Sequence, residues 1–244
     1  MMRALLLAAG LGTRLRPLTN DTPKCLVEIE GRPLLYYWLK MLCEGGVSEI
    51  LLNLHYLPDK VRDYVLHGEY AHFVTMVYED RLLGTGGTLL RNRAFFSGQP
   101  FMLIHADVLS LFDVKAFMTS HQRRPAWTEI TMMTFITPTP ESCGVVKVDE
   151  KGIVRAFFEK AKDPPGNLAS GGVLILEPSV LDFVAALGKE EIDFSAEVLP
   201  HYVGRIYTFH NNVYHRDIGT LESLMVAQLG FPEIFQKFCQ RTAI

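Results

Sequence analysis

The chain is predicted to fold as an α/β three-layer sandwich, with helices on both faces of a mainly parallel central sheet and a second half that leans antiparallel. Three observations carry the prediction. Up to about residue 127, short apolar runs alternate with helical patterns, a rhythm that requires crossovers and hence parallel strands. Beyond that point strand patterns follow one another with little helix between them. No internal repeat, low-complexity linker or shift in composition interrupts the 244 residues. A single domain over 1–244 is therefore expected, with one half at about 1–127 and the other at about 128–230.

The elements follow in order. Arg3–Ala9 reads as a fully buried strand that runs into a glycine loop. Pro33–Cys43 has helical spacing and stops at Gly45-Gly46. Glu49–His55 is a strand, Asp59–Leu66 a helix and Phe73–Glu79 a strand. Gly87–Phe96 is a helix, Pro100–His105 a strand and Val114–His121 a helix. Four strands open the second half: Glu129–Ile136, Val145–Asp149, Ile153–Glu159 and Gly172–Leu176. Turns fall at Glu150-Lys151-Gly152 and Asp163-Pro164-Pro165-Gly166. Helices are expected over Val180–Leu187 and Ser195–Tyr202, and strands over Arg205–His210 and Val213–Arg216. Two further helical stretches cover Leu221–Leu229 and the chain from Glu233.

Composition excludes several function classes. With 24 basic and 27 acidic residues the net charge is −3, and no basic stripe offers a nucleic-acid footprint. The four cysteines are scattered without a CxxC pair, which reads as free thiols in a reducing cytoplasm. Leu5–Gly12 does not read as a signal peptide core, because Arg14, Arg16 and Lys24 fall where a cleavage region should be neutral. No other run approaches the ~18 apolar residues of a membrane span. A cytoplasmic protein without membrane or nucleic-acid partners is expected.

In open α/β sheets ligands sit outside the carboxyl ends of the strands. That rule selects Gly10–Lys24, Glu79–Gly87, Asp107, Glu159-Lys160 and Asp217. The glycine loop is no dinucleotide fingerprint, since Leu15 stands where the third glycine belongs, and Leu15 also breaks the ATP-type phosphate loop. A plain turn would explain Gly10 and Gly12 but not the gathering of Arg14, Arg16 and Lys24. Backbone amides opened by glycine, together with guanidinium and ammonium groups, make a cradle for polyphosphate.

Gly10–Thr19 (GLGTRLRPLT) is followed by Pro23-Lys24, Gly31-Arg32-Pro33, Leu83–Gly87 (LGTGG), Asp107, Gly144-Val145-Val146, Glu159-Lys160 and Asp217–Thr220 (DIGT). This ordered set, spread from Ala4 to Gln228, resembles the sugar-1-phosphate nucleotidyltransferases, and most closely their mannose- and heptose-1-phosphate guanylyltransferase branch. The resemblance implies a Rossmann-like sandwich and transfer of a nucleotidyl group from an NTP to a sugar 1-phosphate, with release of pyrophosphate. It implies that Arg14 grips the β- and γ-phosphates and that Lys24 meets the α-phosphate. Asp107 and Asp217 would hold one Mg²⁺, the only cofactor expected. Leu7, Ala9, Gly10, Glu79 and Gly84 would form the base pocket, and Gly12, Thr13 and Thr85 would complete the nucleotide site. Glu159 and Lys160 would meet the sugar hydroxyls and sugar phosphate, with Gly144 and Gly172 letting backbone approach the sugar.

Two departures stand out. Ala161 replaces the usual proline after the Glu-Lys pair, and His105, unlike the family's residue there, reads as a packed strand histidine. Glu79 stands where thymidylyl and uridylyl transferases often carry glutamine. An ionised carboxylate only accepts hydrogen bonds, which suits the adjacent N1–H and N2–H₂ donors of guanine and favours GTP. Two alternatives remain: UTP or dTTP with glucose or an amino-sugar 1-phosphate, and a non-catalytic homologue that binds a nucleotide sugar. The family also allows a homo-oligomer. The short stretch Phe231–Ile244 leaves no room for the β-helix that some relatives append.

Overall fold

The apolar run after Arg3 forms β1 (Met2–Leu7), in which Ala4 and Leu6 face one side of the sheet and Leu5 the other, all fully buried. That is the pattern of a strand covered on both faces. The computed structural model describes residues 2–96 and 98–242. After the glycine loop come a short ribbon, β2 (Glu28–Ile29) with β3 (Arg32–Pro33), then α1 (Leu34–Glu44), β4 (Val47–Leu54), α2 (Pro58–Leu66) and β5 (Val74–Tyr78). The first half closes with α3 (Gly84–Arg91), β6 (Phe101–His105), β7 (Val108–Leu111) and α4 (Val114–Arg123). The second half brings β8 (Ile130–Ile136), β9 (Gly144–Val148), β10 (Val154–Glu159) and β11 (Leu168–Leu176). Then follow α5 (Ser179–Ala186), α6 (Phe194–Glu197), β12 (Ile206–His210), β13 (Tyr214–Asp217) and α7 (Leu221–Thr242).

A 9-stranded sheet runs β10-β9-β11-β6-β1-β4-β5, with β8 beside β11 and β12 beside β8. Strands β6, β1, β4 and β5 are parallel. From β6 outward β11, β8, β9 and β10 pair antiparallel, as the change of rhythm predicted. Antiparallel pairing reverses direction. The start of β11 therefore extends past the carboxyl end of β6, and the register Ala169↔Val145 and Glu159↔Gly144 sets the start of β9 and the end of β10 beside it.

Three apolar cores hold this edge in place. One packs α1, α2 and α4 against Ala4, Leu6, Ile50, Leu52, Met102 and Ile104. The second packs α3, α5 and α6 against the alternate residues Leu5, Leu51, Phe101 and Leu103. The third gathers Leu15, Ile29, Tyr37, Leu109, Leu111, Ile218, Leu224 and Phe231 beneath the glycine loop. Leu15, the residue that breaks the dinucleotide fingerprint, is fully buried there and pins the loop down.

The structure corrects three elements. The helix expected over Gly87–Phe96 begins at Gly84 and ends at Arg91, followed by a 3-10 turn over Arg93–Phe96. The two carboxyl-terminal stretches are one helix with Pro232 inside it. Phe231 and Phe235 stack at 5.5 Å and both meet Tyr37, so the third core holds the turns on either side of the proline together. Strand β7 had no sequence signal of its own. It follows the turn Ala106-Asp107, which no glycine or proline marks, and owes its existence to antiparallel pairing with β13.

Candidate active site

A cavity of about 220 Å³ opens at the carboxyl edge of β1, β4 and β6. Leu7, Ala9, Gly10, Lys24, Glu79, Gly84, Thr85 and Asp107 line it, all of them expected site residues, together with Asn53, Thr88 and His105. Gly12, Thr13, Arg14 and Asp217 are not in its wall but adjoin its polar end. Gly144, Glu159 and Lys160 form a separate group farther along the same edge, and Gly172 lies between them and the cavity, against His105.

The loop geometry follows from its glycines. A side chain on Gly10 would meet nothing within 4 Å, so the backbone there faces open space that a ligand can occupy. Gly12 has φ +62°, and a Cβ on it would press on Thr19 and Lys24, so the loop folds tightly over the lysine. Its carbonyl accepts the Thr19 hydroxyl at 2.7 Å and the Leu15 amide at 3.0 Å. Thr13 heads the 3-10 turn that presents Arg14.

Pairing of β7 with β13 places Asp217 opposite Val108, and the Ile218 amide donates to the Asp107 carbonyl at 3.2 Å. Two acids more than a hundred residues apart thus become neighbours. Lys24, only 7% exposed, reaches between them, with Nζ 2.8 Å from Asp107 Oδ2 and 3.5 Å from Asp217 Oδ1. Arg14 Nη2 lies 3.6 Å from Asp217 Oδ2. Enclosure alone would raise the Asp107 carboxyl, but the Lys24 ammonium and His105 hold it below the usual carboxylate range. Gly219 completes the cluster, because a Cβ there would strike Asp217 at 2.5 Å and Arg14 at 2.8 Å.

The two half-exposed carboxylates are hard oxygen donors of the kind Mg²⁺ prefers. Among the described residues no three acidic, imidazole or thiolate groups converge on one point. A cation held by Asp107 and Asp217 would draw its remaining ligands from phosphate and water, which suits an ion that keeps part of its shell.

Across the cavity Glu79 is only 1% exposed, and its Oε1 has no hydrogen-bond partner among the described residues. An unpartnered carboxylate oxygen in such a place costs free energy unless a ligand donates to it. Gly84 and Thr85 serve a second purpose that their nucleotide assignment did not foresee. Gly84 has φ +69°, and a Cβ there would sit 2.5 Å from the Ile192 carbonyl oxygen. The Thr85 hydroxyl accepts the Phe194 amide at 2.8 Å. The glycines of α3 thus admit the chain at 190–192, which hydrogen-bonds Leu83 and Gly86. Cys25 also lines the cavity, but burial pushes its thiol up to about 12, so it stays protonated at neutral pH. None of the four cysteines is bonded to another.

On the second half, Gly144 pairs with Glu159 across β9 and β10. A Cβ on Gly144 would approach Glu159 Oε2 to 2.7 Å, so the glycine makes room for the carboxylate. Lys160 Nζ lies 3.6 Å from Glu159 Oε1 and is exposed. Gly172, with φ +66°, lies against the His105 ring, where a Cβ would approach to 3.2 Å. His105 is therefore a cavity-lining residue that also abuts the second half, rather than a purely packed strand histidine. His215 stands behind the acids with Nδ1 3.2 Å from Ser110 Oγ, and burial pushes it down to about 3 against the pull of Asp107.

Fold and site together define an α/β protein whose cations and acids converge at one sheet edge, beside a cavity. The chain belongs to the nucleotidyl transferase family, whose profile matches residues 3–233. It is 35% identical over 187 residues to mannose-1-phosphate guanylyltransferase 1 of Arabidopsis thaliana, covering 74% of this chain and 51% of that one. The mannose-1-phosphate guanylyltransferase of Mycobacterium tuberculosis is 30% identical over 230 residues, covering 91% and 62%. The chain thus spans about half to three fifths of the length of these relatives. HddC from Yersinia pseudotuberculosis, solved with GMP-PN, superposes with a TM-score of 0.78 at 26% identity, over 95% of this chain and all of that one. A Bacillus anthracis chain named for glucose-1-phosphate thymidylyltransferase shares the fold, with a TM-score of 0.83 at 20% identity over 93% and 94% of the two chains. Among the described residues no helix is long and apolar enough to cross a membrane.

Proposed function

We propose that the protein transfers a guanylyl group from GTP to a sugar 1-phosphate of the mannose or heptose type, releasing pyrophosphate. The observation that carries the choice of base is the buried, unpartnered Oε1 of Glu79 in the cavity wall. Guanine offers two adjacent donors on its N1–N2 edge, whereas adenine presents an acceptor at N1 that would face the carboxylate. The names of the curated relatives and the GMP-PN held by HddC support the same choice.

In the reaction an oxygen of the sugar phosphate attacks the α-phosphorus as the bond to the bridging oxygen of pyrophosphate breaks. The nucleophile is already anionic, so no general base is needed, and the protein's task is positioning and charge neutralisation. Lys24 lies beside the α-phosphate position, fixed between the Asp107 and Asp217 carboxylates. Arg14, on the exposed loop, meets the β- and γ-phosphates and offsets the charge of the leaving group. Glu159 accepts from sugar hydroxyls and Lys160 pairs with the sugar phosphate. Asp107 and Asp217 would hold Mg²⁺, which when bound neutralises phosphate charge. The proposed site keeps every charged group the reaction needs, which favours an enzyme over a nucleotide-sugar sensor.

Pyrophosphate release measured with GTP, ATP, UTP and dTTP against mannose, heptose and glucose 1-phosphates tests the reading. GTP with a mannose- or heptose-type partner is expected to give the highest kcat/KM, and Glu79→Gln to erode the preference for GTP over ATP. A wild-type preference for UTP or dTTP refutes the guanine assignment.

A further inference from the structure

Asn53 is a buried polar residue in the otherwise apolar, fully buried run 50–54 of β4, and neither phosphate binding nor the acid cluster requires it. It lies at the meeting point of three segments of the cavity wall: the exit of β1, Glu79 and α3. We propose that Asn53 is a positioning residue for base selection, turning Glu79 so that Oε2 faces inward and Oε1 is left for the nucleobase. The inference rests on the guanine reading above.

The geometry fixes the amide in one sense. The Ala8 N–H can only donate, so it must meet Asn53 Oδ1, at 2.8 Å. That bond directs Nδ2 to the other side, 3.4 Å from Glu79 Oε2 and 3.5 Å from Thr88 Oγ1. The Glu79 backbone is held independently: its amide donates to the Leu54 carbonyl at 2.9 Å, and His55 Nδ1 lies 2.8 Å from its carbonyl. Only the side-chain torsions of Glu79 remain to be set, and among the described residues the one side-chain group that hydrogen-bonds its carboxylate is the Asn53 amide. Without that donor nothing fixes the rotation of the carboxylate, and Oε1 can turn away from the cavity. Asn53 also links base selection to the phosphate loop, because the amide it holds at Ala8 is two residues before Gly10.

The test compares kcat/KM for GTP and ATP, and thermal unfolding, in the wild type, Glu79→Gln, Asn53→Asp and Asn53→Ala. Asn53→Asp keeps the acceptor for Ala8 but replaces the donor facing Glu79. Asn53→Ala removes both without adding charge, and is read if the aspartate variant does not fold. The expected result is a fall of about tenfold in the GTP-over-ATP ratio for either Asn53 variant. A merely structural role would lower both substrates by the same factor. If Glu79→Gln erodes the ratio while both Asn53 variants keep it within about twofold, this inference is overturned and the guanine reading stands. If Glu79→Gln leaves the ratio intact, the guanine reading itself falls and takes this inference with it.

Discussion

Replacing Gly84 by alanine tests whether close backbone packing builds the far wall of the cavity. Gly84 has φ +69°, a conformation that costs an L residue about 1–2 kcal/mol. The added Cβ would lie 2.5 Å from the Ile192 carbonyl oxygen and 2.9 Å from its carbon. Those atoms are backbone, tied to α3 by the Gly86 amide at 2.8 Å and by the bond from the Ile192 amide to the Leu83 carbonyl at 3.0 Å. They cannot swing aside as a flexible side chain would, so overpacking adds about 1–3 kcal/mol. The sum, about 2–5 kcal/mol, corresponds to roughly 5–20 °C in Tm for a chain of this size. Gly166→Ala is the control: its Cβ meets nothing within 4 Å and its φ is ordinary, so a change under about 0.5 kcal/mol is expected. Urea unfolding gives both values, and calorimetric titration with GTP shows whether displaced α3 weakens the pocket. If Gly84→Ala loses no more stability than Gly166→Ala, the packing argument is wrong.

Two further outcomes follow from the charges. Lys24→Met removes the ammonium that lies 2.8 Å from Asp107, and kcat is expected to fall roughly 100- to 1,000-fold. Its stability should change little, because the two carboxylates are half exposed and stay hydrated; a kcat within tenfold of wild type would remove Lys24 from the chemistry. Burial, with Arg124 adding to it, pushes His121 down to about 3, against 6.5 in the unfolded chain. Between those values the unfolded chain takes up a proton that the folded chain refuses, so stability is full above pH 6.5 and is lost as pH falls toward 3. At pH 5 the loss from His121 is about 2 kcal/mol. Urea unfolding at pH 7 and pH 5 should show wild type losing that much more than His121→Gln, and parallel losses would show that His121 does not carry it.

The mainly parallel first half, the antiparallel-leaning second half and the position of Asp107 at the ligand edge were legible because they follow from local pattern. A strand covered on two faces is an apolar run, and an acid just after such a run falls at the ligand edge, as Asp107 does. What was not legible was pairing between distant segments. Strand β7 follows a two-residue turn, Ala106-Asp107, that no glycine or proline marks, and its partner β13 lies a hundred residues away, yet this ribbon brings Asp217 to Asp107. The continuity of α7 through Pro232 depends on Tyr37, which sequence spacing cannot connect to it. Asn53 did leave a trace: a lone polar side chain inside EILLNLH, at the end of the strand nearest the ligand edge, is costly unless bonded. Gly84 and Gly87 carried a signal too, but glycine-rich loops suggest phosphate contact, and nothing local announces that the chain at 190–192 must fit against them.

The third core explains why the proposed polyphosphate end of the site can be built from exposed groups. Arg14 and Asp217 are both half exposed or more, and surface ion pairs of this kind hold geometry poorly on their own. Their neighbours in sequence are fixed instead. Leu15 and Ile218 are fully buried in the same cluster as Leu109, Leu111 and Phe231. Each charged side chain therefore projects from a backbone anchored one residue away, and both anchors share one body of packed side chains. The base end rests on the other two cores through Leu5, Leu6 and Leu89. Arg14 and Asp217 keep their own side-chain freedom while the distance between their attachment points is set by packing. In the proposed reaction that arrangement suits release of pyrophosphate at one end while the nucleotide is held at the other.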